Sequence, residues 1–195
     1  MTTIGLVKKH NKIAIGSDSL ATYGGTLEGE YLVSDGSKLL THNRNVFALT
    51  GHASLNLLFS IILEDHPDLE FSSRKTIFRS ISKIRRIMKD EYFLQSASED
   101  DQPFETWHTH CLIANPYGAF GVYELGSIQE YSRFFAFGSG GDYALGAFAA
   151  MYERSEDPEE ILRAGLTASA LLDSRTAGPF HIQVIELADD RPESL

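Results

Sequence analysis

The sequence predicts an α+β fold, a four-layer αββα sandwich of two stacked antiparallel sheets flanked by helices. Hydrophobic periodicity changes along the chain from strands to two helices, back to strands, to two further helices and to a closing strand. Each group of strands and each helix has one apolar face, and stacking the sheets between two helix pairs would bury all of these faces. No internal repeat or linker divides the chain, so residues 1–187 are predicted to form a single domain.

The first third of the chain is rich in predicted strands. Residues 2–7 are apolar and β-branched, and a turn at Asn11 and Lys12 leads into a hairpin partner that ends at residue 18. Residues 22–30 are rich in Gly and Thr and are predicted to be a loop. Two further strand segments are expected at residues 31–41, with an interruption at 34–36, and at residues 45–50.

Two amphipathic helices follow these strands. The first ends before Pro67, and its apolar residues have the i, i+3, i+4, i+7 spacing of one buried face: Leu55, Leu58, Phe59 and Ile62. The second runs from about residue 73 to 92, with an apolar stripe of Ile77, Ile81, Ile84 and Met88. Its other face carries seven Lys and Arg residues. A basic face could bind nucleic acid, but in a chain of net charge −10 it favours a solvated or subunit-facing surface.

The second half of the chain repeats the change of period. A polar, acidic loop is expected at residues 96–103, and strands are expected at residues 106–114, 118–123 and 131–137. A glycine-rich turn opens a helix of small residues that ends near Met151. Asp157 and Pro158 match the N-cap and first position of a helix that runs to about Leu172. The last expected elements are a strand at residues 180–187 and a polar tail at residues 188–195.

Composition excludes several classes of function. The formal net charge of −10 argues against binding to nucleic acid and to anionic membranes. No apolar run approaches the roughly 20 residues of a membrane span, and lysines interrupt any signal sequence at once. The single cysteine, Cys111, cannot form an internal disulfide and fits a reducing compartment. These observations predict a cytoplasmic protein without a lipid anchor.

The start of the chain is the feature richest in chemistry. Met1 precedes Thr2, a residue small enough for methionine removal. The mature chain would then begin with a free α-amine beside a hydroxyl. A nucleophile and a general base on one residue is a known solution to acyl transfer. Many ordinary proteins also begin Met-Thr, so this signal depends on the rest of the chain.

Other chemically capable residues have weaker interpretations. Cys111 lies in a predicted strand and is expected to be a buried small hydrophobic residue. His108 and His110 would share one strand face and could ligate a metal, but no third ligand is apparent. Ser139 lies in a glycine-rich helix start that resembles a phosphate site, although its spacing is not that of a P-loop.

Five local motifs together resemble the proteasome β-subunit and HslV family of N-terminal threonine hydrolases, most closely the self-standing bacterial proteasome homologues. They are the start Thr2-Thr3-Ile4-Gly5, the segment Ile15-Gly16-Ser17-Asp18-Ser19-Leu20-Ala21-Thr22, Leu49-Thr50-Gly51 before a helix, Phe137-Gly138-Ser139-Gly140-Gly141 opening a helix, and Asp173-Ser174-Arg175-Thr176. The match extends from residue 2 to about 187. It implies the N-terminal nucleophile hydrolase form of the αββα sandwich.

The resemblance assigns the central roles. Thr2 Oγ1 would attack the scissile carbonyl and the Thr2 α-amine would accept the proton, since an α-amine has an unperturbed pKa of about 7.7–8.0. Lys38 would supply the cation that lowers this pKa, and Asp18 would pair with it. The segment between Thr22 and Lys38 is a few residues longer than is typical of the family. The extra length is expected to bulge near residues 24–29.

The resemblance also assigns the supporting roles. The Gly51 N–H would stabilise the oxyanion, and Ser139 would hydrogen bond to the Thr2 amine. Asp173 and Thr176 resemble the Asp-x-x-Ser pair that buttresses the nucleophile, with Thr in place of Ser. No cofactor is required for this chemistry. Backbone carbonyls near Asp173 and Thr176 bind a structural cation in some relatives.

Substrate contacts are implied in the same way. The backbone of Thr22, Gly51 and Ala53 would align a peptide as an added strand. Ala21, Leu49 and Ala53 would line the first specificity pocket. These side chains are small or apolar, which predicts a preference for apolar residues before the cleaved bond.

The resemblance therefore predicts a threonine-type endopeptidase acting on peptides or unfolded proteins inside stacked homo-oligomeric rings. Six- and seven-fold rings are both compatible, with a tetradecamer favoured. HslV relatives dock an unfolding ATPase through their C-terminus, and the polar tail at residues 188–195 disagrees with that mode. An ATP-dependent unfoldase thus stays an open question. Two alternatives are an N-terminal nucleophile amidase or acylase acting on small amides and a catalytically inactive ring scaffold.

Overall fold

Two antiparallel sheets form the centre of the molecule, and a pair of helices covers the outer face of each. The computed structural model describes residues 2–24, 26–29, 31–34, 36–95 and 104–189. Within these ranges it has eleven strands and four helices. The predicted α+β fold, a four-layer αββα sandwich, is confirmed.

The elements alternate along the chain as the periodicity predicts. In chain order they are β1 (Thr3–Lys9), β2 (Lys12–Ser17), β3 (Ala21–Tyr23), β4 (Thr26–Glu28), β5 (Leu39–His42), β6 (Asn45–Leu49), α1 (Ala53–Asp65), α2 (Arg74–Asp90), β7 (Cys111–Asn115), β8 (Gly118–Val122), β9 (Ile128–Glu130), β10 (Phe134–Gly138), α3 (Gly141–Met151), α4 (Pro158–Leu172) and β11 (His181–Glu186). The first sheet has the order β10-β1-β2-β11 and the second has the order β5-β6-β7-β8-β9.

The four-stranded sheet packs closely against α3 and α4. Its strands alternate, so Ile4 of β1 faces the other sheet while Gly5 faces the helices. A Cβ on Gly5 would lie 2.9 Å from the Phe148 ring, and one on Gly16 would lie 3.1 Å from Leu162. The glycines therefore allow the helix pair to approach the strands that carry the start of the chain.

The five-stranded sheet packs against α1 and α2 through larger side chains. The predicted stripe on α2 is buried: Ile77, Ile81, Ile84 and Met88. Ser73 caps α2 in a capping box with Thr76, which fixes where this helix begins. A third apolar layer lies between the sheets and includes Ile4, Leu6, Ile15, Ala48, Leu112 and Phe137.

Several predictions of local structure are wrong. Residues 31–33, the first part of the strand segment expected at 31–41, are not a strand, and β5 begins at Leu39. Residues 22–30, predicted as a loop, contain part of the β3–β4 hairpin. The strand expected to begin at residue 106 begins at Cys111, because His108 has a φ of 58° that breaks strand alternation. β9 was not predicted, and β10 begins at Phe134 rather than at residue 131. The predicted loop at 96–103 and most of the tail lie outside the described residues.

The described residues contain four helices, α1 to α4. None of these helices combines the length and apolar character that a membrane crossing requires.

Candidate active site

The antiparallel register brings Thr2, Asp18 and Ser139 to one end of the four-stranded sheet. Thr3 at the start of β1 lies opposite Gly138 at the end of β10, and Ile4 lies opposite Ser17 at the end of β2. Thr2 therefore precedes β1 at the same edge where Asp18 follows β2. Three segments distant in sequence converge because adjacent strands run in opposite directions.

Thr2 is held by its backbone. The Ser139 N–H donates to the Thr2 carbonyl at 3.0 Å. Gly138 has a φ of 101°, and a Cβ there would lie 1.8 Å from the Thr2 oxygen, so only glycine fits. Thr2 is 5% exposed. The alternation of β1 places its side chain on the same face as that of Ile4, between the two sheets.

A buried ion pair lies behind the start of β1. Lys38 Nζ donates to Asp18 Oδ1 at 2.7 Å and to the Leu20 carbonyl at 2.8 Å. The Asp18 side chain is 0% exposed and that of Lys38 is 11% exposed. The same Oδ1 accepts the Thr3 N–H at 2.9 Å, one residue from Thr2. The ion pair is therefore attached directly to the backbone that presents the start of the chain.

Burial dominates the electrostatics of this pair. Desolvation raises the pKa of Asp18 and lowers the pKa of Lys38, while the attraction between them opposes both shifts. Backbone N–H groups of Thr3 and Ala177 also favour the charged carboxylate of Asp18. A desolvated cation held in this way acts on neighbouring groups through a low dielectric.

A second cluster contains hydroxyls and one carboxylate. Ser139 Oγ donates to Asp173 Oδ2 at 2.5 Å, and Thr176 Oγ1 donates to the same oxygen at 2.7 Å. Thr176 Oγ1 lies 2.7 Å from Thr3 Oγ1. Because the single Thr176 hydrogen is used on Asp173, Thr3 must be the donor to Thr176. The cluster thus runs from Thr3 through Thr176 and Asp173 to Ser139.

The pKa of the Asp173 carboxyl is shifted in the opposite direction from that of Asp18. Burial would raise the pKa of Asp173, but hydrogen bonds from Ser139, Thr176 and the Arg175 N–H lower it below its usual value. Its side chain is 7% exposed. The carboxylate is therefore ionised at neutral pH and accepts hydrogen bonds only.

Gly51 lies between the end of β6 and the start of α1. Its φ is 105°, and a Cβ there would lie 2.9 Å from Thr109 Oγ1. The Thr50 N–H donates to the His110 carbonyl at 3.0 Å, and the His110 N–H donates to Thr50 Oγ1 at 3.0 Å. Thr109 Oγ1 donates to the Thr50 carbonyl. Hydrogen bonds from Thr109 and His110, just before β7, therefore hold Thr50 and the peptide that links it to Gly51.

The four predicted substrate contacts lie in three different environments. Ala21 and Thr22 are half-buried in β3, three and four residues after the buried Asp18. Ala53 is exposed as the first residue of α1. Leu49 is 1% exposed and packs in the core beneath α1 and α2.

Three residues that sequence reasoning missed support the site. Thr3 belongs to both clusters, through its N–H to Asp18 and its hydroxyl to Thr176. Leu20 accepts from Lys38 through its carbonyl, and the Ala177 N–H lies 3.5 Å from Asp18 Oδ2. Only Thr3 left a signal in the sequence, as a polar residue in the otherwise apolar start of β1.

The described residues offer little for a metal. No group of three or more His, Cys, Asp or Glu residues that could hold a metal ion occurs among them. The shared strand face expected for His108 and His110 does not exist, because β7 begins after both. Cys111 is fully buried in β7, and burial raises the pKa of its thiol, so it is a core residue.

An αββα sandwich with threonine beside the start of a central strand defines the class of N-terminal nucleophile hydrolases. Comparison with solved structures supports this class. Thiobacillus denitrificans BPH matches with 33% identity over 96% of this chain and 100% of that chain, at a TM-score of 0.87. The structure of Thiobacillus denitrificans BPH in complex with epoxomicin matches with 32% identity over 95% of this chain and 99% of that chain, at a TM-score of 0.89.

The chain belongs to the proteasome β-subunit and HslV-like family, and the resemblance predicted from its motifs is confirmed. HslV from Trypanosoma brucei shares the fold, with 17% identity over 94% of this chain and 99% of that chain and a TM-score of 0.69. No protein-family model matches the sequence, and no curated protein matches it.

Proposed function

We propose that this chain is a threonine-type endopeptidase whose nucleophile is Thr2 after removal of Met1. The observation that carries the proposal is the buried Asp18–Lys38 ion pair, bonded at 2.9 Å to the N–H of the residue after Thr2. Burying two charges is costly. A cation at the start of the chain is useful to an N-terminal nucleophile, because it lowers the pKa of an adjacent α-amine.

In the proposed mechanism Thr2 performs both attack and proton transfer. The neutral α-amine accepts the proton of Thr2 Oγ1 as this oxygen attacks the scissile carbonyl. The positive charge of Lys38 keeps the amine neutral near pH 7, and Asp18 holds Lys38 in place. The protonated amine then gives its proton to the leaving amine, which leaves an ester on Thr2. Water hydrolyses this ester with the amine again as base.

The Gly51 N–H is the proposed oxyanion donor. The Thr109 hydroxyl donates to the carbonyl of its peptide, and His110 binds the adjoining N–H and hydroxyl of Thr50, so the peptide is oriented before substrate binds. A preorganised donor of this kind stabilises the developing charge without reorganisation during the reaction. Ser139 and Asp173 hold the opposite side, where the Ser139 N–H fixes the Thr2 carbonyl.

We propose that substrates are peptides or unfolded chains with apolar residues before the cleaved bond. Ala21 and Thr22 lie on β3, directly after the Asp18–Leu20 turn, where a peptide could pair as an added strand. Ala53 offers a small side chain at the start of α1. Leu49 would back the specificity pocket from the core.

The proposed setting is a homo-oligomer of stacked rings in the cytoplasm, with a tetradecamer favoured. The support is membership of a proteasome-like family and the basic outer face of α2 in a chain of net charge −10. We propose no cofactor for the chemistry. A structural cation near the carbonyls around Asp173 and Thr176 and an ATP-dependent unfoldase are both left to experiment.

Peptide hydrolysis by substitution variants tests the proposal. Fluorogenic peptides with apolar residues before the cleaved bond are assayed beside small amides, for wild type, Thr2→Ala, Thr2→Ser and Thr41→Ala. Thr41 is an exposed threonine of β5 and serves as the matched control. Loss of the nucleophile should lower kcat by at least about 10³-fold. Thr2→Ser should retain measurable hydrolysis, and Thr41→Ala should behave as wild type.

The substrate panel separates the alternatives. Hydrolysis of small amides alone would support an amidase, and no hydrolysis by wild type lacking Met1 would support an inactive scaffold. Because a relative was solved with epoxomicin, we expect epoxomicin to inhibit this chain and to raise its Tm. Equal peptide hydrolysis by wild type and Thr2→Ala would refute the proposal.

A further inference from the structure

The segment before β7 contacts the Thr50–Gly51 peptide and also β10 beside Thr2, although none of its groups makes a bond or moves a proton in the proposed mechanism. Thr109 is 1% exposed, and its hydroxyl donates to the Thr50 carbonyl. The next residue, His110, exchanges two further hydrogen bonds with Thr50 through its backbone.

Thr109 determines which way the Thr50–Gly51 peptide faces. In a trans peptide the C=O and N–H point to opposite sides of the chain. Because Thr109 Oγ1 takes the Thr50 oxygen, the Gly51 N–H is turned to the side away from Thr109. The positive φ of Gly51 and the 2.9 Å approach of Thr109 Oγ1 to a hypothetical Cβ show how closely the two packed segments meet.

His110 joins this peptide to the other sheet. Its ring packs on Phe137 of β10, with centroids 4.6 Å apart and planes tilted by 30°. Phe137 lies opposite Ile4 of β1 and is followed by Gly138 and Ser139, which hold the Thr2 carbonyl. One residue therefore contacts the oxyanion side through its backbone and the nucleophile side through its ring.

The surroundings of the His110 ring favour the neutral imidazole. Burial lowers the pKa of His110, and the charge of Glu124 opposes this shift. Tyr123 is the other titratable group against the ring, at a centroid distance of 6.0 Å. Phe137 and Thr50, from the two other segments packed against His110, carry no titratable group. The ring is thus a packing surface between the sheets at neutral pH.

We propose that Thr109 and His110 are a positioning element that orients the Gly51 N–H and holds it in register with Thr2 across the two sheets. The proposal rests on the proposed function for its effect on catalysis, because Gly51 is the oxyanion donor there. The predicted effect on structure does not depend on the proposed function. Substitution of Thr109 or His110 should increase amide exchange in specific segments whether or not the chain is a peptidase.

Hydrogen–deuterium exchange and kinetics together test the element on the full chain. The variants are Thr109→Val and His110→Asn, with Thr106→Val and His108→Asn as controls on the same segment. His108 is exposed and has a φ of 58°, a conformation that Asn tolerates. Thr109→Ser and His110→Phe are the rescue variants, because they keep the hydroxyl and the aromatic packing.

Both test variants should exchange faster than the controls at residues 49–52, and His110→Asn also at residues 2–4 and 138–140. Thr109→Val should lower kcat by about 10–100-fold with KM nearly unchanged, since it misorients a transition-state donor. His110→Asn should lower kcat by about tenfold. The rescue variants should restore both the exchange pattern and most of kcat.

Two results would overturn the positioning element. One is exchange in Thr109→Val and His110→Asn that matches the controls at residues 49–52. The other is faster exchange spread equally over α1, α2 and α4, which would show a general loss of packing. If wild type hydrolyses no peptide, the proposed function fails, but the exchange pattern still decides whether the positioning element exists.

Discussion

The two carboxylates of the site, Asp18 and Asp173, are held in opposite ways. Asp18 is fully buried, pairs with Lys38 and accepts backbone N–H groups. Asp173 lies nearer the surface and accepts hydroxyls from Ser139 and Thr176. Burial raises the pKa of Asp18, whereas the hydrogen bonds to Asp173 lower its pKa despite its own burial.

The two carboxylates therefore belong to clusters with different roles, one that supplies charge and one that fixes the position of the backbone. In the proposed mechanism the Asp18–Lys38 pair provides a desolvated cation that lowers the pKa of the Thr2 amine. The Asp173 cluster provides no net positive charge, but it fixes the loops on both sides of Thr2 by directed hydrogen bonds. Thr3 bonds to both clusters, so the residue after the proposed nucleophile links the two functions.

Replacing Lys38 should have the largest effect. Lys38→Met leaves Asp18 buried without its counter-charge, which should cost about 3–5 kcal/mol in the free energy of unfolding. Peptide hydrolysis should fall to background, because the Thr2 amine loses its neighbouring cation. Urea unfolding at fixed protein concentration measures the first effect and fluorogenic peptides the second.

Two further variants test whether the loss of the Lys38 charge explains that result. Lys12→Met, at an exposed position of β2, should change neither quantity. The double variant Asp18→Leu with Lys38→Met should recover part of the lost stability and none of the activity. Full activity in Lys38→Met would contradict the role given to the buried cation.

Asp173→Asn should have a smaller effect on stability. The variant keeps the shape of the side chain but loses a charged acceptor of two hydroxyls, which should cost about 1.5–3 kcal/mol. Activity should fall less than in Lys38→Met, since no charge beside the amine is removed. Asp68→Asn, at an exposed ion pair with Lys83, is the matched control and should leave stability nearly unchanged.

The stability difference between wild type and Asp173→Asn should depend on pH. The folded-state pKa of Asp173 is lowered, so the stabilisation is complete above the unfolded pKa of about 3.9 and is lost as the pH falls through the lower folded value. Urea unfolding between pH 7 and pH 2.5 should therefore show the two proteins converging in acid. A difference that widens in acid would mean that folding raises the pKa of Asp173 instead of lowering it.

Thr3→Val should have the smallest effect. It is nearly isosteric and removes one hydroxyl that donates to Thr176, at a cost of about 1 kcal/mol. The Thr3 N–H to Asp18 remains, so kcat should fall only modestly. Thr3→Ser should restore the wild-type value, and Thr167→Val on the exposed face of α4 is the control. A loss in Thr3→Val as large as that in Lys38→Met would show that the two clusters do not have separate roles.

Much of the fold could be predicted from the sequence because its signals are local. The stripe from Ile77 to Met88 identifies α2, and Asp157 with Pro158 identifies the start of α4. Strand pairing gave weaker signals, since the β3–β4 hairpin is rich in Gly and Thr and reads as a loop. The left-handed conformation of His108 had no signal at all.

The site could be predicted only where the family resemblance assigned a role to the residue. Asp18, Lys38, Ser139 and Asp173 converge at the sheet end, and their roles stay predictions. Contacts made by backbone groups, as at Leu20 and Ala177, leave no trace in residue type. Thr109 and His110 were missed for a related reason, because their partners lie about 60 residues away in the sequence.

Intact-mass measurement of the purified chain tests whether Thr2 acts as the nucleophile with its own free amine as base. Thr2 can serve as nucleophile and base together only when its amine is free, so the account predicts a mass equal to residues 2–195 for the active protein. The same preparation should hydrolyse peptides. A mass that includes Met1 in a preparation with full peptidase activity would contradict the account, because the Thr2 nitrogen would then be an amide that cannot accept the proton.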